Sequence, residues 1–122
     1  MIVVDSSVWI ANLRDLDTRA VRLLRSIEDP DDILVGDLIL LEALQGARSE
    51  EHAVQIENDL RQFRVESMLD AELAVRAARS YRTLRDKGVT IRKTNLIIGT
   101  FCLAHGHMLL HDDRDFDAMA AH

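Results

Sequence analysis

Short apolar runs alternate along the chain with longer segments in which apolar residues recur every three or four positions. The runs are typical of buried strands and the repeats of amphipathic helices. The clearest helix is predicted over 70–88, where Asp70 is a suitable N-cap and Gly88 a stop signal. Strands are predicted at IVVD (2–5), ILVG (33–36), FRVE (63–66) and HMLLHDD (107–113).

Capping residues and helix breakers predict the remaining helices. Five such helices are predicted: one that starts at Ser6 or Ser7, one that runs from Asp17 to a point before Pro30, one over 37–47 with Asp37 as cap, one over 49–63 and one that starts at Thr94. This alternation of strands and helices predicts an α/β fold with a mainly parallel sheet. We see no repeat or linker, so 1–122 is predicted to be a single domain.

The composition is that of a globular protein with a real core. The chain has 122 residues, of which 48% are apolar and 30% charged, a balance unlike that of disordered chains. Cys102 is the only cysteine and lies in an apolar run, so we expect an inert buried thiol and no zinc cluster.

Neither a secretion signal nor a membrane span is predicted. The N-terminus lacks a basic leader, and Asp5 interrupts its apolar run. No apolar stretch approaches the roughly 18–20 residues that cross a bilayer. The expected location is the cytoplasm.

The net charge of −6 argues against non-specific nucleic-acid binding, but the charges are unevenly distributed. Seven of the 15 basic residues fall within 76–93, whereas acids cluster at 28–32 and 111–117. For most arginines of the 70–88 helix, a solvated face explains the charge. Arg92 and Lys93 are candidates for steering a nucleic-acid backbone.

Acidic residues supply the candidate chemistry. Asp5 ends the first predicted strand, although an isolated Asp there is more often a helix cap. Glu42 lies among leucines, where a carboxylate is costly unless it is paired or bound to a metal, the alternative being a helix face turned to solvent. Four acids follow the last strand: Asp112, Asp113, Asp115 and Asp117. Such a cluster usually forms a solvated turn.

The carboxyl ends of parallel strands meet at one edge of a sheet, and sites in such folds lie beyond that edge. Asp5 and the pair Asp112 and Asp113 are both predicted there. Carboxylates gathered from distant parts of a chain suit hard divalent cations such as Mg²⁺ and Mn²⁺. The sequence therefore predicts a site for a divalent cation at this edge.

Four stretches in series resemble the PIN-domain family, and more narrowly its VapC-type toxins: MIVVDSSVWI, GDLILLEALQGAR, TIRKT and LLHDDRDFD. The resemblance spans essentially the whole chain. It implies a three-layer α/β/α sandwich, an Mg²⁺ or Mn²⁺ cofactor and endoribonuclease activity. It also implies a homodimer and inhibition by a cognate antitoxin protein.

The resemblance assigns roles by position. Asp5, Glu42 and Asp113 match the family's metal-binding acids, and Asp115 is a further candidate beside them. Ser7 matches the small hydroxyl residue two positions after the first Asp and is a candidate for substrate binding.

The resemblance also implies a third acid at the start of the helix after TIRKT, and this acid is replaced or absent here. If the chain is aligned on LIIGT, Asn95 occupies the place of that acid; if it is aligned on TIRKT, the acid is missing. An amide oxygen can still coordinate Mg²⁺ but carries no charge, and one unit charge at about 4 Å is worth on the order of 4 kcal/mol at an effective dielectric of about 20. We therefore expect weakened metal binding.

Three functions remain open at this stage. The leading hypothesis is Mg²⁺-dependent hydrolysis of RNA phosphodiesters, with Glu42 or Asp115 accepting a proton from water. The second is a catalytically impaired PIN module that mainly binds its antitoxin as a dimer. The third, a phosphatase or other hydrolase, lacks a supporting signature.

Overall fold

A four-stranded sheet with all its strands parallel forms the centre of the computed structural model, which describes residues 1–121. Its strands are β1 (Ile2–Val4), β2 (Ile33–Gly36), β3 (Arg64–Glu66) and β4 (Met108–Leu110), in the order β3-β2-β1-β4. The helices are α1 (Ser6–Leu13), α2 (Arg19–Arg25), α3 (Asp37–Gln45), α4 (Glu50–Leu60), α5 (Ala71–Asp86), α6 (Lys93–His105) and α7 (Arg114–Ala121), and a 3₁₀ turn covers Pro30–Asp32.

The strand order determines where the helices lie. The connections β1–β2 and β2–β3 move along the sheet in one direction, whereas β3–β4 returns past them to the other side of β1. Because parallel crossovers are right-handed, the first two connections place their helices on one face and the third on the opposite face. The predicted α/β/α sandwich is confirmed, and the direction of winding changes between β1 and β4.

The core forms where the two central strands are covered from both faces. Val3, Val4, Leu34 and Val35 have no exposed surface, and Val3 pairs in register with both Leu34 and Leu109. Continuous apolar runs are expected for strands that are buried on both faces, which is why 33–36 was predicted at its observed bounds.

Local hydrogen bonds shift several predicted boundaries. Asp5, rather than Ser6 or Ser7, caps α1, because its Oδ2 accepts from the backbone N–H of Ser7. Asp37 is the first residue of α3 and not its cap, and its carboxylate accepts from the N–H of Met68. Helix α6 begins at Lys93, one residue before the predicted start.

Two further expectations can be compared with the structure. Cys102 is 5% exposed, and burial raises the pKa of its thiol to about 12, so it is the inert thiol predicted from the sequence. Among the helices of residues 1–121, none combines the length and the apolarity needed to cross a membrane.

Candidate active site

The acidic side chains lie beyond the carboxyl ends of β1 and β4, the neighbouring strands between which the winding direction changes. Asp5 follows β1 directly, and its backbone N–H donates to the carbonyl of Leu110, the last residue of β4. The loop after β4 then brings Asp112 to the same place, because its N–H donates to Ser7 Oγ at 3.3 Å. Such a crevice is where ligands bind in open parallel sheets.

Asp5 is a buried acid with one oxygen occupied and one oxygen without a partner. Asp5 is 2% exposed. Oδ2 accepts from the Ser7 hydroxyl at 2.7 Å and from the Ser7 N–H at 3.1 Å. Oδ1 is buried and has no hydrogen-bond donor among residues 1–121. Buried polar atoms are nearly always paired, so this oxygen requires a specific explanation.

Glu42 lies on α3 near Asp5 and Asp113. We name the group formed by Asp5, Glu42, Asp113 and Asp115 the acidic pocket. Glu42 is half-buried, and its Oε1 accepts from the hydroxyl of Ser6 at 3.1 Å. Burial raises the pKa of Glu42; the Ser6 hydrogen bond and Arg92 oppose this rise, whereas the negative charges of Asp5 and Asp113 add to it. These charges act on Glu42, so the three acids lie near one another.

Asn95 joins the remaining two acids. It is 2% exposed, and its Nδ2 donates to Asp113 Oδ2 at 3.1 Å and to Asp115 Oδ2 at 3.0 Å. The N–H of Asp115 also donates to Asp113 Oδ1 at 2.9 Å. Asn95 thus lies in the acidic pocket, as the alignment on LIIGT predicts, and its amide supplies donors where an acid would supply charge.

Arg92 contacts the same two acids as Asn95. Its Nη2 lies 2.7 Å from Asp113 Oδ2, its Nε lies 3.5 Å from Asp115 Oδ2, and its N–H donates to Asp115 Oδ2 at 3.2 Å. Burial disfavours ionisation of Asp113, but the Asp115 N–H, Asn95 and Arg92 outweigh this effect and lower the pKa of Asp113 below its ordinary value.

The other candidate residues are distributed around this pocket. Ser7 contacts Asp5 and the backbone of Asp112, so it positions the acid. Lys93 is exposed and lines an apolar groove between α5 and α6. Asp117 is exposed, and its carboxylate lies 3.9 Å from the imidazole of His111.

The acids share a pocket without forming a closed ligand shell. Within residues 1–121, no three His, Cys, Asp or Glu side chains are close enough to hold one metal ion as they stand. Asp113 and Asp115 instead take donors from Asn95 and Arg92. The donor set still fits a hard cation, since it offers carboxylate oxygens and one of them, Asp5 Oδ1, is unpaired.

Two of these contacts were missing from the sequence-based interpretation. Ser6 was expected only as a helix cap, but it binds Glu42. Arg92 was expected to contact nucleic acid, but it pairs with two carboxylates. The only sequence signal for the contact between Ser6 and Glu42 was that Ser6 is adjacent to Asp5. No local signal indicated that Arg92 would pair with carboxylates.

The parallel sheet, with acids where its winding reverses, defines the class: an α/β protein with an acidic crevice beyond the carboxyl ends of its strands. The family model described as the PIN domain matches residues 2–122. The chain therefore belongs to the PIN-domain family, which confirms the resemblance seen in the four sequence stretches.

Relatives within this family carry the VapC name. The VapC ribonuclease Mb1587 of Mycobacterium bovis and ribonuclease VapC11 of Mycobacterium tuberculosis are each 30% identical to this chain over 126 residues. Each alignment covers 98% of this chain and 92% of the relative. The likeness therefore extends over nearly the full length of both proteins.

Solved structures show the same fold. FitAcB from Neisseria gonorrhoeae superposes with a TM-score of 0.78 at 19% identity, covering 98% of this chain and 94% of that one. VapC20 of M. tuberculosis, described as a sarcin–ricin loop cleaving toxin, gives a TM-score of 0.74 at 23% identity, covering 97% and 94%. VapBC2 from Rickettsia felis, bound to a promoter DNA fragment, gives 0.78 at 14% identity, covering 98% and 93%.

Proposed function

We propose that this PIN-domain chain is the toxin of a toxin–antitoxin pair and that it hydrolyses RNA phosphodiesters at the acidic pocket. Relatives at 30% identity over nearly the whole chain are named VapC ribonucleases. Under this proposal the chain is a single domain over 1–122 that acts in the cytoplasm.

One observation carries the proposal that the pocket binds a divalent cation, Mg²⁺ or Mn²⁺. Asp5 Oδ1 is buried without a hydrogen-bond donor in the described chain, and the negative charges of Asp5 and Asp113 both act on Glu42. An unpaired buried carboxylate oxygen costs free energy. A cation ligated by that oxygen would compensate for this cost.

The residues of the chain divide the remaining work. A bound divalent cation lowers the pKa of water and offsets the charge that builds on the phosphate. Glu42 is the better proton acceptor, because burial raises its pKa and therefore its basicity. Asp115 is less suited, since its Oδ2 already accepts from Asn95 and Arg92.

Substrate contacts are proposed for the basic rim and Ser7. Arg92 is exposed beside Asp113 and Asp115, and Lys93 is exposed at the start of α6, where both can meet phosphates. Trp9, Phe101 and Phe116 are at most 5% exposed and cannot stack on bases, which leaves only the half-buried Phe63 and Tyr81. RNA selection by this chain therefore depends on backbone shape more than on base stacking.

An RNA-cleavage assay across an Mg²⁺ titration tests the proposal. We expect cleavage by the wild-type chain that rises with Mg²⁺ and is lost in Asp5→Asn. Asn95→Asp is expected to cleave at a lower Mg²⁺ concentration, because it restores a charged ligand. Cleavage that persists unchanged in Asp5→Asn would place the activity elsewhere or in a contaminant.

A second candidate function is favoured by the contacts of Asn95. Its amide and Arg92 already satisfy Asp113 and Asp115, so the chain can be a PIN module that binds its antitoxin and cleaves little. Absence of cleavage in both the wild-type chain and Asp5→Asn, with cleavage restored in Asn95→Asp, would support this alternative.

Partner binding fits an apolar groove of about 570 Å³ between α5 and α6. Leu69, Ala74, Tyr81, Leu96 and Ile97 line it, so it offers an apolar face to an amphipathic helix of the antitoxin. We also propose a homodimer in solution, which sedimentation equilibrium of the purified chain will test.

A further inference from the structure

Arg92 and Asn95 donate to the same two carboxylate oxygens. Asp113 Oδ2 accepts from Arg92 Nη2 at 2.7 Å and from Asn95 Nδ2 at 3.1 Å. Asp115 Oδ2 accepts from the Arg92 N–H at 3.2 Å and from Asn95 Nδ2 at 3.0 Å. A cation that is to bind these Oδ2 atoms must therefore replace a donor of the chain itself.

The two donors differ in their freedom to leave. Asn95 is 2% exposed and fixed in the first turn of α6, whereas the side chain of Arg92 is 69% exposed. An exposed guanidinium can move into water at little cost, because surface ion pairs contribute roughly 0–1 kcal/mol. Arg92 is therefore the donor that an incoming cation displaces.

We propose that Arg92 is a positioning residue that serves as an internal counter-ion: its guanidinium holds Asp113 and Asp115 together and competes with a divalent cation for their oxygens. This inference rests on the metal site proposed above. Metal occupancy of the chain is then set by the exchange of one positive group for another.

Calorimetric titration with Mn²⁺ alone tests this competition in purified variants. Arg92→Gln is expected to bind Mn²⁺ on the order of tenfold more tightly than the wild-type chain. Arg114→Gln is the matched control: Arg114 lies in sequence between the two acids, is exposed and forms no ion pair with the rest of residues 1–121. Arg92→Lys, which keeps the charge but loses the paired geometry, is expected to lie between.

The outcomes separate this inference from the metal site on which it rests. If Arg92→Gln and Arg114→Gln increase the affinity for Mn²⁺ equally, the change reflects only the loss of one positive charge, and the inference is overturned. Weaker binding in Arg92→Gln would also overturn it, since a merely structural role for Arg92 predicts loss. If neither the wild-type chain nor Arg92→Gln binds Mn²⁺, the metal site itself is rejected and the competition with it. Binding that is abolished in Asp5→Asn supports the site independently.

Discussion

Asn95→Asp is the substitution that most directly tests how the pocket is held together. In the wild-type chain the Asn95 amide donates to Asp113 at 3.1 Å and to Asp115 at 3.0 Å. An aspartate at the same place can donate neither hydrogen bond and adds a third negative charge. The variant should therefore fold less stably, and its stability should depend on a divalent cation.

The magnitude follows from these contacts. Loss of two hydrogen bonds to charged acceptors costs roughly 3–6 kcal/mol, and each new carboxylate pair at about 4 Å adds repulsion of up to about 4 kcal/mol. Protonation sets an upper limit on this loss of stability, because an aspartate at this position that is too costly to ionise can take up a proton instead. At pH 7.5, roughly 3.6 pH units above the ordinary pKa of Asp, that proton costs about 1.4 kcal/mol for each unit, or about 5 kcal/mol. Arg92 reduces the repulsion further. We expect a loss of about 3–5 kcal/mol in the free energy of unfolding.

Urea unfolding at pH 7.5, with EDTA or with Mn²⁺, measures this effect. Mn²⁺ at one hundred times its dissociation constant should restore about 2.7 kcal/mol to Asn95→Asp. Asn58→Asp on the exposed side of α4 adds the same charge away from the pocket and should change stability by no more than about 0.5 kcal/mol. If Asn95→Asp unfolds like Asn58→Asp in EDTA, the amide contacts contribute nothing and the reasoning is refuted.

Three other measurements examine the fold and the site. The pKa of Asp113 is lowered on folding, so its contribution to stability is complete above its unfolded pKa of about 4 and is lost as pH falls through the folded value. In urea unfolding, the loss of stability on acidification below about pH 5 should therefore be smaller in Asp113→Asn than in the wild-type chain, and equal losses would contradict the pairing of Asp113. Ellman's reagent should leave Cys102 unmodified in the native chain at pH 8, where roughly one thiol in ten thousand is ionised, and should react once urea unfolds it; rapid native labelling would contradict the burial. Gly36→Ala should cost about 1–3 kcal/mol in urea unfolding, because the added Cβ meets the buried side chain of Met68, while Gly46→Ala, with its nearest neighbour at 3.7 Å, should be tolerated.

Much of the fold could be predicted because its signals are local. The apolar run at 33–36 is buried throughout, and Asp70 caps α5 by accepting from the N–H of Leu73. Both features depend on residues that are near each other in sequence. The acids at 112–117 show the limit, since their density suggested a turn, whereas Asp115 and Asp117 lie in the first turn of α7. Acids near a helix N-terminus are favourable, so this cluster is compatible with a helix as well as with a turn.

The pocket could be predicted in its membership but not in its hydrogen bonds. Asp5 and Asp113 were placed at one edge of the sheet by the strand pattern alone. The contacts of Asn95 and Arg92 with Asp113 join residues 18 and 21 positions apart, and nothing in the local pattern determines which donor reaches which oxygen. Packing of α6 against the loop after β4 decides that question.

The charges around the pocket connect the two candidate functions. Counted as ionised, Asp5, Glu42, Asp113 and Asp115 carry four negative charges, and Arg92 reduces the sum to −3. One divalent cation brings it to −1 if Arg92, displaced from the two Oδ2 atoms, stays beside the pocket, so a second divalent ion would then leave an excess of positive charge. An acid at position 95 would leave −4 and could balance two divalent ions. We therefore expect one Mn²⁺ per wild-type chain in calorimetry and more than one only in Asn95→Asp; two ions bound to the wild-type chain would show that charge balance does not set the number. A toxin that cleaves RNA and a module that mainly binds its antitoxin would then differ in a single property, the affinity of this pocket for that one ion.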